Sequence, residues 1–334
     1  MKYAFIRQHR HLWPICVQCR VLEVSVAGYH EHLRRRGQPP RRHLSDEALL
    51  VHIRAVYAET RGAYGWPRIW RELKQRGVRV GKQRVQQLMQ QHGIRARGKR
   101  RFRVTTTQSR PGLAVAENLL DRQFTVTAPN HMWAGDITYI DTNEGWLYLA
   151  VVLDLFNRQV IGWALAEDLR QELVIDAFQM AWFRRGLRRQ TGLLFHSDRG
   201  SQYAGEAFQK VLRQYQVQPS MSRKGNCWDN ACSETLFGSL KVERLHGQRF
   251  ATRQQAKDEV LDWLHWYNWK RLHSTLNYMS PMEYEREWKK RLLLVVSGET
   301  CDDKEAMEKM ESSNRFPLSH SPGDEISLLM GYGF

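Results

Sequence analysis

HMWAGDITYIDTNEGWLYLAVVLDLFNRQVIGWALA, residues 131–166, contains three extended segments joined by two short connections. MWAGDITYID (132–141) is rich in β-branched and aromatic residues and stops at the turn residues TNEG (142–145). WLYLAVVLDL (146–155) is a continuous apolar run, the pattern of a central strand buried on both faces. RQVIGWALA (158–166) reads as a third strand. Connections this short join antiparallel neighbours, so the three strands form a meander.

Downstream, residues 170–186 read as a helix and TGLLFHSD (191–198) as a further buried strand ending at a polar loop. A helix over 203–215, a short strand VQPSMS (217–222), a loop RKGNCWDN (223–230) and a helix over 229–244 follow. Three strands, helix, strand, helix, strand, helix is the RNase H-like order. It predicts a mixed α/β domain with a five-stranded sheet covered by helices. Further helices are expected at 251–270 and 280–292.

Three acids fall at telling places in this order. Asp136 lies in the first strand, Asp198 just past the fourth, and Glu234 on the helix after the fifth, with 35 residues between the last two. With the first and fourth strands as neighbours, both aspartates meet at one edge and the helix brings Glu234 beside them. Three crowded carboxylates repel one another unless a cation joins them, and Mg²⁺ and Mn²⁺ prefer oxygen ligands. Two such ions about 3.5–4 Å apart activate a water or a 3′-hydroxyl and stabilise the leaving oxygen of a phosphodiester.

Upstream the composition changes. Residues 1–110 carry 25 Lys and Arg against 6 Asp and Glu, residues 111–296 carry 23 against 21, and residues 297–334 carry 3 against 8. A strongly basic front before a near-neutral middle points to a nucleic-acid-binding arm on a separate core. Residues 12–36 read as a short helical unit, and GQPPRRH (37–43) as a linker. Ser45, followed by Asp46 and Glu47, opens a helix with Leu49, Leu50, Ile53 and Val56 at helical spacing. GAYGWPRIW (62–70) turns into a second helix, and VRVGKQRVQQLMQQHGI (78–94) contains a basic third, an arrangement suited to a helix-turn-helix. Residues 97–111 look like a basic, Thr-rich linker. The expected phosphate contacts here are Arg79, Lys82, Arg84, Arg95, Arg97, Lys99 and Arg100.

WAGDITYI (133–140), HSDRGSQY (196–203) and DNACSETLFGSLK (229–241) resemble the three catalytic motifs of the DDE transposase and retroviral-integrase superfamily, and in particular the OrfB protein of the IS-three family of insertion sequences. The resemblance spans about residues 12–287 and includes PRIWRELKQRG (67–77), RQFTVTAPNHMW (122–133) and YNWKRLHSTLNYMSPMEY (267–284). It implies a metal-dependent enzyme that cuts and joins DNA at the terminal inverted repeats of its element. Asp136, Asp198 and Glu234 would be the catalytic residues and the ligands of two Mg²⁺ or Mn²⁺ ions. Lys241 resembles the basic residue that family members point at the DNA end. His196, Arg199, Gln202 and Tyr203, around Asp198, either shape that loop or touch phosphate. Asn230 is expected to cap or steady the helix of Glu234, and Asp154, in LDLFNRQVIGW (153–163), to be structural. The resemblance also implies a homo-oligomeric synaptic complex and an OrfA-type partner, fused by translational frameshift or associated.

The resulting organisation is a basic helical segment (1–43), a helix-turn-helix-like DNA-binding domain with its linker (44–110), the RNase H-like core (111–250), a helical extension (251–296) and an acidic tail (297–334) expected to be disordered. No apolar run approaches 18 residues, and Lys2, Arg7, Arg10 and Arg20 interrupt any signal-like start, so no membrane partner is expected. Five cysteines without framework spacing fit a reducing bacterial cytoplasm. Cys16 and Cys19 with His9 and His11 lack the second pair that a zinc site needs. Two rivals are a DNA-binding regulator with an inert core, which has no need of three spaced acids, and a nuclease of RNA–DNA hybrids, which has no need of the basic front.

Overall fold

The computed structural model describes residues 2–36, 44–98, 116–121, 126–188, 192–223 and 230–297. The chain divides into two compact units, Met1–Gly98 and Lys99–Phe334.

The first unit is helical. Helices α1 (Lys2–Gln8), α2 (Ile15–Val21) and α3 (Val26–Arg36) enclose Ile6, Cys19 and Tyr29. Cys19 is thus a core thiol, and the helical unit begins before residue 12 because Ile6 supplies part of its core. Helices α4 (Asp46–Glu59), α5 (Trp66–Gln75) and α6 (Lys82–Gln91) follow. Ser45 Oγ accepts from Ala48 N at 3.2 Å, so the first of them starts on a side-chain cap. Pro67 stands in the first turn of α5, where its missing N–H costs nothing. Leu49, Ile53, Val56, Ile69, Leu73, Val85, Leu88 and Met89 are buried from the three helices.

The second unit is built on a five-stranded sheet. The strands are β1 (Met132–Thr142), β2 (Gly145–Asp154), β3 (Val160–Ala166), β4 (Leu194–Ser197) and β5 (Gln218–Met221), in the order β3-β2-β1-β4-β5. β1–β2 and β2–β3 are antiparallel, while β4 runs parallel to both β1 and β5. Gly145, at φ +105°, takes a conformation at the hairpin tip that a side chain disfavours. Both faces are covered, which explains the unbroken apolar run of β2. Ala150 and Val152 join the core under helix α7 (Gln171–Arg184), while Leu147, Leu149, Val151 and Leu153 join the core under helices α10 (Ala231–Leu240) and α11 (Arg253–Trp269). A Cβ on Gly162 would stand 2.1 Å from the Ala177 carbonyl oxygen, so α7 settles on β3 only over a glycine.

Two elements are finer than their sequence patterns. The helix expected over 203–215 breaks at Gly205, whose ψ of 145° is extended, into α8 (Ser201–Ala204) and α9 (Glu206–Gln214). After Leu240, helix α10 widens into a π turn, Lys241–Leu245. There the buried Glu243 carboxylate accepts from Trp263 Nε1 at 3.0 Å and Arg271 Nη2 at 2.7 Å. A last helix, α12 (Pro281–Ser297), closes the described chain.

Candidate active site

The sheet register places the two aspartates. In the parallel β1–β4 pair, Met132, Trp133 and Ala134 stand opposite Leu194, Phe195 and His196. Asp136 and Asp198 each lie two residues beyond the last of these pairs, so they stand side by side, Asp136 within β1 and Asp198 just past the end of β4. Along β1, Asp136 is in step with Ala134 and Ile140, which pack into the core beneath α10 and α11. Asp136 therefore faces the helix that carries Glu234 in its first turn.

The electrostatics agree with this placement. Burial pushes the Asp136 carboxyl well above its ordinary range, and the charges of Asp198 and then Glu234 push it further. Two donors oppose this, the Ile137 N–H at 2.8 Å from Oδ1 and the Asn230 side chain. Asp198 Oδ1 accepts from Gly200 N at 3.0 Å, which steadies the loop after β4. Partial burial raises Glu234, although its side chain stands largely in solvent. Beneath the aspartates lies Tyr203, its phenol raised by burial and by both carboxylates. Gly135 leaves room for this ring and for Phe195, since a Cβ there would stand 2.4 Å from the Phe195 ring. Lys241 closes the far side. Burial lowers its ammonium while Asp136 pulls it back up, and its Nζ lies 5.3 Å from the centre of the Tyr139 ring.

The donor set suits a hard divalent cation. Two carboxylates at one level and a third across from them are all oxygen ligands, and the repulsion felt by Asp136 is the kind a cation relieves. Among the described residues the acids do not stand as a closed ligand group, with Glu234 on the solvent side.

The other expected site residues separate into distinct environments. His196 is fully buried within β4, with Nδ1 2.9 Å from Ser220 Oγ, and this fits the loop-shaping role rather than phosphate contact. Arg199 donates from Nε to the Ser222 carbonyl at 2.6 Å, joining the loop after β4 to the end of β5. Gln202 donates to the Leu169 carbonyl at 3.3 Å and remains part-exposed. Arg79, Lys82, Arg95 and Arg97 are exposed on the helical unit. Arg84 is tied to Asp46 at 2.6 Å. Lys99 and Arg100 lie outside the described residues. Asp154 is buried at the end of β2, where it accepts from Asn130 N and Arg185 Nη2, each at 3.0 Å.

Asn230 differs from its expected role. It occupies the N-cap position of α10, but its side chain makes no capping bond and donates to Asp136 instead. Its spacing of four residues before Glu234 was the available signal, because i and i+4 share a helix face. Tyr203, expected to shape the loop around Asp198 or touch phosphate, is buried, which fits the first of these roles, and its closeness to Asp136 had no signal in the sequence.

Comparison with known proteins agrees with this architecture. The Integrase core domain family matches residues 126–227, a second Integrase core domain family matches residues 234–288, and an HTH-like domain family matches residues 44–102. The chain is 38% identical over 288 residues to Transposase InsF for insertion sequence IS3A of Escherichia coli K12, covering 86% of this chain and 99% of that one. It is 39% identical over 271 residues to a 31 kDa protein of insertion element IS600 from Shigella sonnei, covering 81% and 98%. The HTLV-2 integrase catalytic core domain, solved with magnesium, superimposes at a TM-score of 0.36 with 17% identity over 47% of this chain and 97% of that one, a likeness too slight to reason from.

Proposed function

We propose, for a chain that belongs to the IS3 family of insertion-sequence transposases, that Asp136, Asp198 and Glu234 form the centre that cuts and joins DNA at the terminal inverted repeats of its element. The chain is a transposase with an integrase core, and its HTH-like domain binds DNA. The observation that carries the assignment is the strand register that sets Asp136 level with Asp198, together with the charge felt at Asp136 from Glu234.

The three carboxylates would hold two Mg²⁺ or Mn²⁺ ions. When bound, these ions would make a water or a 3′-hydroxyl nucleophilic at neutral pH and offset charge on the leaving oxygen. Asn230 fixes the Asp136 carboxylate through its amide, so that one face of the carboxylate stays directed at the site. Tyr203 fills the space below the aspartates and keeps water from that side. Lys241 offers its ammonium to a phosphate of the element end. In the first step a water oxygen attacks a phosphorus at that end and frees a 3′-hydroxyl, leaving a 5′-phosphate on the flanking strand. In the second step this hydroxyl attacks another phosphodiester, forming one 3′–5′ bond as it breaks another. No covalent bond to the protein is needed. In the copy-out, paste-in route that we assign, the freed 3′-hydroxyl of one end first attacks the same strand near the other end.

Two ends must be held together, so we assign a homo-oligomeric synaptic complex and an OrfA-type segment that contributes further DNA contacts. We assign the work to nucleoid DNA in the cytoplasm. No described helix is long and apolar enough to cross a membrane. The test is strand transfer from a precleaved duplex bearing the element's end into plasmid DNA with Mn²⁺, comparing wild type with Glu234→Gln. Joined products from the wild type alone support the assignment. Joining by Glu234→Gln at the wild-type rate, or none by the wild type even when fused to its OrfA segment, would overturn it.

A further inference from the structure

The tip of the β1–β2 hairpin carries an aromatic pair that neither face of the core absorbs. Tyr139 stands opposite Tyr148, and Trp146 lies two residues from Tyr148 on the same strand, so the three share one face. The rings of Tyr139 and Trp146 meet edge to face, with centroids 5.0 Å apart and planes at 82°. Tyr139 is 37% exposed and Trp146 47% exposed, leaving much of both rings uncovered.

The surroundings of the pair point to its occupant. The Lys241 ammonium lies 5.3 Å from the centre of the Tyr139 ring and also lies in the field of Asp136. A single lysine side chain thus links the Tyr139 ring to the Asp136 carboxylate. Behind the indole, Arg253 donates from Nε to the Trp146 carbonyl at 3.1 Å and pairs with Glu167 at 3.0 Å, holding the hairpin tip in place. A cross-strand pair kept only to steady a hairpin needs no cation against its ring, least of all one in the field of Asp136. Exposed rings next to a cation are the chemistry that takes single-stranded nucleic acid: bases stack on the rings and the cation meets the backbone phosphate.

We propose that Tyr139 and Trp146 form a stacking platform for unpaired bases at the element end, with Lys241 on the phosphate of the same nucleotides. The inference rests on the transposase reading above and adds to it the form of DNA that this site accepts. Bases inside a duplex already have both faces covered, so the platform selects an end whose last bases have come apart. Because every base has a π-face, it imposes little sequence preference of its own.

The test uses the full chain and a duplex element end with 2-aminopurine as the unpaired terminal base of the transferred strand. Stacking quenches this base, so the wild type should lower its fluorescence on binding. Trp146→Ala and Tyr139→Ala should lose most of the quenching and bind the frayed end about 10-fold more weakly, the size of one lost stacked base. Both should bind a fully paired duplex as the wild type does, and Trp146→Phe should restore most of the quenching. Undiminished quenching in the Tyr139→Ala, Trp146→Ala double variant, or an equal loss of affinity for paired duplex, would overturn the platform. Either result leaves the transposase reading standing, because that reading depends on strand joining.

Discussion

Asp136 and Asp154 lie on neighbouring strands of one sheet, three positions apart in the hairpin register, and the fold treats them in opposite ways. Asp154 is completely buried, and its counter-charge is built in. Arg185 reaches it at 3.0 Å and binds Glu285 at 2.8 Å, and Lys289 also pairs with Glu285 at 2.8 Å. Glu243 is treated likewise, held by Arg271 at 2.7 Å. Around Asp136 stand two more acids, one amide and one lysine. An acid that the fold has already neutralised ties elements together. An acid surrounded by others of its own sign leaves the counter-charge to be supplied from outside, and this is what a site for a cation and a phosphate requires.

The contrast is open to experiment. Its largest expected consequence is at Asp136: Asp136→Asn should cut strand joining by on the order of 10³-fold, since one of the three carboxylates proposed to hold the cations is lost. The urea midpoint should hold or rise, because a repulsive charge has been removed. A variant that unfolds more easily would place Asp136 with the structural acids.

At the paired acids the expectation reverses. Glu243→Gln leaves Arg271 buried beside a neutral amide and should cost about 3–5 kcal/mol in urea unfolding. A loss under about 1 kcal/mol would mean that this pair does not hold the π turn to the segment after α11.

Asp154 gives a subtler handle. Burial raises it from 3.8 to about 6 in the folded chain in spite of Arg185. The folded state therefore binds its proton more tightly than the unfolded state. Its share of stability is full below about pH 4 and is lost as the pH climbs to about 6, a change of at most about 3 kcal/mol. Glu285 is shifted the other way and opposes this, its share being lost as the pH falls. Comparing the pH dependence of unfolding in wild type and Asp154→Asn isolates the slope. An unchanged slope would show that Asp154 stays ionised.

The smallest effect tests the same contrast among cations. Arg79 is exposed, whereas Arg84 is tied to Asp46 at 2.6 Å. Arg79→Ala should lower the slope of log affinity for DNA against log salt by about 0.9. Arg84→Ala should instead cost the helical unit up to about 1 kcal/mol of stability. Equal salt slopes for both would remove the distinction.

The legible parts of this molecule are those written in local pattern. The three-strand meander, the helix-strand alternation after it and the capped start at Ser45 depend on residues close in sequence, and each has its element in the structure. The order of the three acids was legible for the same reason. Less legible was anything set by distant partners. The break at Gly205 and the π turn at Lys241–Leu245 answer to contacts from α7, α11 and Arg271. Asn230 read as a cap because asparagine favours that position, but its amide N–H turns to the Asp136 carboxylate and its oxygen takes no bond from the helix.

By itself the sequence determined the fold class, the basic front and the placing of one acid in the first strand, one just past the fourth and one on the helix after the fifth, because periodicity, turn chemistry and charge are local quantities. Only the tertiary structure decided which acids are paired and which stand together, that His196 is interior, and that Tyr139 and Trp146 sit beside Lys241. The reason is physical: burial and electrostatic coupling depend on what surrounds a group in three dimensions, and those neighbours come from elements as much as 128 residues away.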